Sequence, residues 1–199
     1  QIATNEHVLR HYPTLAEAAA YVGGRQIRNR ATCAGNIVNA SPLADTATPL
    51  YCHNAVMEIY GLPGCREVPI QEFILFVRKV ALKPGELVTG IRVPYLPEAK
   101  GVFRKIARRN EVDLSTVCGT VLKTGDEYRI AIGSVAPTPL RLPKTEALLK
   151  GKPLTDALIA EAAALAATEV SPIDDVRADR QYRLDIVSYL VRDGLTKLR

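Results

Sequence analysis

The chain has 199 residues, 47% of them hydrophobic and 24% charged, which suits one large domain or two small ones and excludes a disordered polymer. Its formal net charge of +5 is spread along the sequence, so it permits an anionic ligand without calling for nucleic acid. No apolar run reaches the roughly 18 residues that a membrane-spanning helix needs. Four cysteines (Cys33, Cys52, Cys65 and Cys118) lie far apart without CxxC spacing, as expected in a reducing compartment, the cytoplasm. The opening QIATNEHVLR has neither an apolar signal region nor an initiator methionine, as expected of a processed chain or a piece of a longer one.

In chain order, Thr14-Leu-Ala-Glu17 has the capping-box pattern, and the alanine-rich run to Tyr21 predicts a short helix stopped by Gly23-Gly24. Residues 25–42 are polar, small and without helical period, which predicts a structured loop. Leu43 to His53 reads as a helix kinked or ended by Pro49. Ala55 to Tyr60 alternates as a strand. Gly61-Leu-Pro-Gly64 supplies a turn, and Cys65 to Pro69 returns as a second strand. Residues 70–79 are apolar and fit no single type. Lys83-Pro-Gly85 is a turn, and Leu87 to Val93 is a strand ended by Pro94.

Tyr95 to Gly101 has turn residues at both ends and reads as a linker, which divides the chain into domains 1–97 and 98–199. Three strands follow, over 102–108, 114–123 and 128–135, with Thr124-Gly-Asp126 between the last two. Helices over 144–150, 155–170 and 179–197 complete the chain. Strands followed by helices predict an α+β fold.

Chemistry concentrates in Thr32-Cys-Ala-Gly-Asn-Ile-Val-Asn-Ala-Ser-Pro-Leu-Ala-Asp45. Gly35 permits close backbone approach, and convergent N–H groups of such a turn suit a phosphate. Thr32, Asn36, Asn39 and Ser41 add neutral donors and acceptors, and the Asp45 carboxylate accepts from sugar or polyol hydroxyls. A nucleotide needs this mixture, although the same residues also suit a polar loop that satisfies only its own backbone. GxGxxG and GxxxxGK[ST] are both absent, so neither a Rossmann site nor a P-loop is supported. Cys52-His53 has no second Cys/His pair at ligand spacing, so no metal site is expected. The basic run Arg104, Lys105, Arg108 and Arg109 is interleaved with Phe103 and Ile106, the pattern of a half-buried strand rather than a nucleic-acid stripe. No nucleophile elbow is present, and no catalytic side chain is expected.

The segment QIRNRATCAGNIVNASPLADTATPL resembles the QIRN-x-x-T-x-G-G-N-x-x-N-A-S-P-x-x-D motif of the FAD-binding (medium) subunits or domains of molybdenum hydroxylases, the xanthine dehydrogenase and carbon monoxide dehydrogenase type. KPGELVTGIRVP, GVFRKIARR, EVDLSTVC, RIAIGSVAPTPLR and DDVRADRQYRLDIVSYLVRD extend the resemblance in order over nearly the whole chain. It implies that residues 1–97 form the second lobe of a two-lobed FAD-binding domain. Residues 98–199 would form a C-terminal domain with a three-stranded antiparallel sheet and a helical bundle. The chain opens near the start of that second lobe, without the family's N-terminal lobe and its Gly-Gly loop. FAD is therefore the expected cofactor of the complete subunit, with weaker binding by the chain alone.

The resemblance also implies site roles. Thr32, Cys33, Ala34, Gly35 and Asn36 lie along the pyrophosphate and ribityl chain, with Ser41 in the same loop. Asn39 and Asp45 bind hydroxyls, and Val88 packs near the isoalloxazine. Arg104 or Lys105, with Lys105 preferred, supplies a cation near the ring, where it favours the anionic reduced flavin. Ala34 stands where the family has glycine. A left-handed backbone there would cost on the order of 1 kcal/mol, whereas an ordinary backbone would tolerate the methyl.

The implied function is an oxidoreductase component. Electrons would pass from a molybdenum–pterin large subunit, through [2Fe–2S] clusters on a small subunit, to FAD and then to NAD or another acceptor. The alternative is a flavin-free assembly or interaction module on the same scaffold. A general anion-binding domain is a third reading.

Overall fold

In the computed structural model, which describes residues 1–62 and 64–199, Pro13 rather than Thr14 opens the first long helix. Pro63 of the expected Gly61–Gly64 turn lies outside the described residues. The preceding helix, α1 (Glu6–His11), has Asn5 as its N-cap, whose side chain accepts from the Val8 N–H at 3.2 Å. The next, α2 (Pro13–Ala20), starts at a proline whose fixed φ suits the first helical position and whose missing N–H costs nothing there. Thr14 therefore falls inside the first turn, and its hydroxyl is buried without a partner among the described residues. The capping-box expectation misplaces this start by two residues.

Residues 25–42, expected as a loop, contain two short helices, α3 (Arg25–Arg28) and α4 (Cys33–Val38). Helices this short present no repeating apolar stripe, so periodicity does not reveal them. The helix expected over 43–53 is shorter, α5 (Ala47–Cys52), and every residue in it is buried.

The expected hairpin is present as β1 (Val56–Gly61) and β2 (Gly64–Pro69), paired antiparallel from Val56↔Pro69 to Gly61↔Gly64. Residues 70–80 divide into α6 (Ile70–Phe73), β3 (Ile74–Phe76) and β4 (Lys79–Val80), and β5 (Leu87–Arg92) joins the other edge of β1 in the order β2-β1-β5.

A second antiparallel sheet runs β6 (Lys100–Ile106), β7 (Val117–Thr124), β8 (Glu127–Gly133) and β9 (Leu140–Arg141). The expected three strands form its body, and β9 adds a two-residue edge. Three helices close the chain: α7 (Pro143–Leu149), α8 (Asp156–Thr168) and α9 (Arg180–Lys197). Thr155 and Asp179 cap the last two by accepting from Leu158 N and Tyr182 N.

Strand β7 explains why both halves pack on one sheet. Its first six residues are all buried, as in a strand covered on both faces. Val121, with Ile130 and Ile132 of β8, points into a core shared with Ala162, Val187, Leu190 and Val191 of α8 and α9. Leu122 and Ala131 face the opposite way, into a core with Ile37, Leu50, Met57, Ile59 and Phe73. Helix α9 lies so close to β7 that a Cβ on Gly194 would stand 2.6 Å from a Val121 methyl. Between the halves, Thr48 and Thr120 hydroxyls meet at 3.0 Å, and the Ser134 N–H donates to the Pro42 carbonyl at 2.8 Å. No helix among the described residues is long and apolar enough to cross a membrane.

Candidate functional site

A cleft of about 730 Å³ opens where the α2–α3 turn faces the end of β6 and the loop after it. That is within the usual size range of small-molecule sites, about 300–1,000 Å³. Tyr21, Gly24, Arg25 and Arg28 line one wall, and Lys105, Arg109, Asn110 and Asp113 line the other. Arg28 stiffens its own wall by donating from Nη1 to the carbonyls of Gly23 (2.8 Å) and Val22 (3.2 Å). Asp113 orders the opposite loop by accepting from the N–H groups of Arg109 (3.1 Å) and Leu114 (2.9 Å). The cleft is polar and predominantly cationic.

Lys105 and Arg104, adjacent on β6, point to opposite faces as strand geometry requires. Arg104 turns away from the cleft to Asp193 of α9 at 2.9 Å and to Glu17 at 3.6 Å. Lys105 is the one of the two that lines the cleft. Its Nζ donates to Asp45 Oδ2 at 2.8 Å and to the Tyr21 carbonyl at 3.2 Å. Ser115 Oγ donates a short hydrogen bond to the other carboxylate oxygen of Asp45. Both partners of this ion pair are nearly sealed from solvent, with side chains 6% and 7% exposed. Burial pushes the Asp45 carboxyl above its ordinary range, and the Lys105 ammonium and the Ser115 hydroxyl pull against that shift. Asp45 thus belongs to an ion pair with a residue 60 positions away along the same chain, a role not visible in the sequence.

Helix α4 carries most of the other expected residues. Thr32 is its N-cap, with the side-chain hydroxyl accepting from Gly35 N–H at 2.9 Å. A Cβ on Gly35 would stand 2.9 Å from that same hydroxyl. Glycine is needed here to make room for the cap, and the backbone is not left-handed at this position. Ala34 also has ordinary backbone angles, since it lies inside the helix and is not among the positive-φ residues. The methyl in place of the family's glycine therefore introduces no backbone strain.

Thr32, Gly35 and Asn39 are exposed along one side of α4. Cys33 is half-buried, and burial raises its thiol pKa. Asn36 faces inward, accepting from the Thr46 hydroxyl at 2.6 Å. Ser41 serves a local turn, accepting from Leu43 N–H at 3.3 Å. Val88 is half-buried on β5, the strand against which α4 packs.

Two residues at this site carry no sequence signal of their own. Ser115 sits inside an ordinary strand-like run. Arg78 has a left-handed backbone, φ 60°. Its N–H donates to the Ala40 carbonyl at 3.0 Å, and its guanidinium donates to the Asn39 side-chain oxygen. Arg78 therefore fixes the amide expected to bind a ligand hydroxyl.

The donor set fits FAD. Arg25 and Arg28 supply cations for a pyrophosphate and Lys105 one for the ring, all three lining the cleft, while Asn39 offers an exposed amide on α4 outside that lining and Asp45 is buried against Lys105.

Comparisons with known proteins agree with this chemistry. Residues 1–96 match the FAD binding domain in molybdopterin dehydrogenase, and residues 102–198 match the CO dehydrogenase flavoprotein C-terminal domain. The xanthine dehydrogenase FAD-binding subunit of Escherichia coli O157:H7 is 32% identical, over 99% of this chain and 70% of its own length. The glyceraldehyde dehydrogenase medium chain of Sulfolobus acidocaldarius is 31% identical, over 95% of this chain and 69% of its own. Among solved structures, a chain of the carbon monoxide dehydrogenase of Hydrogenophaga pseudoflava superposes with a TM-score of 0.92 at 31% identity, covering 98% of this chain and 70% of that one. The sequence motifs, the α+β fold, the cationic cleft and these matches converge: the chain belongs to the FAD-binding subunit family of the molybdenum hydroxylases, oxidoreductases of the xanthine and carbon monoxide dehydrogenase type.

Proposed function

We propose that this chain is the flavin-holding component of a cytoplasmic molybdenum hydroxylase complex, with residues 1–97 and 98–199 as its two domains. Bound FAD would supply the redox chemistry, taking electrons that originate at a molybdenum–pterin large subunit and arrive through [2Fe–2S] clusters on a small subunit, and releasing them to NAD or another acceptor. The observation that carries this reading is the Lys105 ammonium, nearly buried yet lining a cationic cleft.

The chain's own residues bind and orient. Arg25 and Arg28 offer charge to the diphosphate. The exposed side of α4, Thr32, Gly35 and Asn39, lies against the cofactor's polar chain, with Asn39 held by Arg78. Val88 lies toward the ring, and Lys105 presents its cation to it. No side chain is required to abstract or donate a proton to substrate. A flavin-free module has less support, because Ala34 sits in unstrained helix.

The protein purified together with its partner subunits is expected to contain about one FAD per copy of this chain, and its visible flavin absorbance should bleach when the substrate of the complex is added. A complex that carries molybdenum and iron–sulfur clusters but no flavin would overturn the proposal.

A further inference from the structure

An ammonium group has three N–H donors. Lys105 uses one on Asp45 Oδ2 at 2.8 Å and one on the Tyr21 carbonyl at 3.2 Å. Since Lys105 also lines the cleft, one donor is left for an acceptor atom of whatever fills it. The cleft does not meet a free lysine charge, however. A carboxylate within hydrogen-bond distance behind the ammonium offsets much of its field, and in a site this dry the offset is little screened.

The carboxylate is itself held. Asp45 is 5% exposed, and Ser115, fully buried, donates to its second oxygen. Charge-assisted bonds of this kind are short and directional, so the three side chains form one rigid unit. Asp45 comes from the N-terminal half, while Lys105 and Ser115 come from the C-terminal half. The unit is complete only when the two halves are packed together.

We propose that Asp45 and Ser115 are positioning residues for Lys105, which together set how strongly its cation favours reduced flavin in the cleft. Ser115 fixes the Asp45 carboxylate, and Asp45 fixes the ammonium and offsets part of its charge. This inference rests on the flavin reading above.

The test is a spectroelectrochemical titration of the flavin in the assembled protein. Asp45→Asn removes the offsetting charge while keeping an oxygen acceptor. At a fixed applied potential it should raise the ratio of reduced to oxidised flavin about tenfold, which is about 30 mV for a two-electron couple. Lys105→Met should move the ratio the opposite way. Ser115→Ala, which retains both charges, should produce a smaller shift in the same direction as Asp45→Asn.

A purely structural staple would show lower thermal stability in these variants with no change in potential, and that result overturns the inference. If Asp45→Asn does not fold, Ser115→Ala decides: its potential must move while its far-ultraviolet circular dichroism stays that of the wild type. Wild-type assembly without flavin would overturn the flavin reading and this inference together. Flavin-bearing variants with unmoved potentials would overturn this inference alone.

Discussion

Arg183→Met is expected to destabilise the protein by about 3 kcal/mol, the scale of leaving two carbonyls without their donor inside the protein. Arg183 is 2% exposed on the inner side of α9. Its guanidinium donates to Asp175 Oδ1 at 2.7 Å, to the Ser134 carbonyl at 3.1 Å and to the Thr116 carbonyl. Methionine replaces the volume but leaves the Thr116 and Ser134 carbonyls without this donor, while Asp175 keeps its bonds from Arg177, and unsatisfied groups of this kind carry their full desolvation cost. Residue 116 directly follows Ser115, so the same change should loosen the support of the Asp45–Lys105 pair. Denaturant unfolding should show a lower midpoint, with a melting temperature reduced by roughly 6–12 °C for a chain of this size. A loss below about 1 kcal/mol would show that these carbonyls find other partners.

Acid should destabilise the protein through His53. The ring is 1% exposed at the C-terminal end of α5, packs edge-on against the Tyr12 ring at 5.3 Å, and has no hydrogen-bond partner at either nitrogen among the described residues. Burial pulls its pKa down from 6.5 to about 4. The folded protein therefore takes up this proton less readily than the unfolded chain does. The contribution is neutral above about pH 7, and stability is lost as the pH falls from 6.5 towards about 4, by about 3 kcal/mol in total. His53→Phe keeps the aromatic packing and removes the titration, so its stability should be nearly flat between pH 7 and 5 while the wild type declines. Parallel declines in both proteins would assign the acid sensitivity to other groups.

The parts of the fold that sequence makes legible are those with long local patterns. Ala55 to Tyr60 alternates, a glycine-bounded turn follows, and β1 and β2 pair as that predicts. Helices α8 and α9 are long enough for their apolar positions and caps to be read. Helices under two turns are not: α3 and α4 have too few residues for a period, and α1 rests on one asparagine cap. At the site, the polar run from Thr32 to Asp45 is visible as chemistry. Its division into ligand-facing and inward-facing residues is not, because Asn36 is claimed by Thr46 and Ser41 by its own turn.

Lys105 and Arg104 are equivalent in sequence and are separated only by which face of β6 looks into the cleft. Ser115 and Arg78 escape sequence reading because their partners, Asp45 and Asn39, lie 70 and 39 residues away along the chain. The left-handed backbone of Arg78 falls in the two-residue turn between β3 and β4, which no glycine or asparagine there announces.

An experimental structure of the assembled protein with FAD bound tests the central claim most directly. Cofactor density should occupy the cleft between Arg25 and Arg109, with an acceptor atom of the flavin within hydrogen-bond distance of Lys105 Nζ and the polar chain running along the exposed side of α4 at Thr32, Gly35 and Asn39. FAD bound elsewhere, with the cleft free of it and Lys105 touching only Asp45 and Tyr21, would contradict the account.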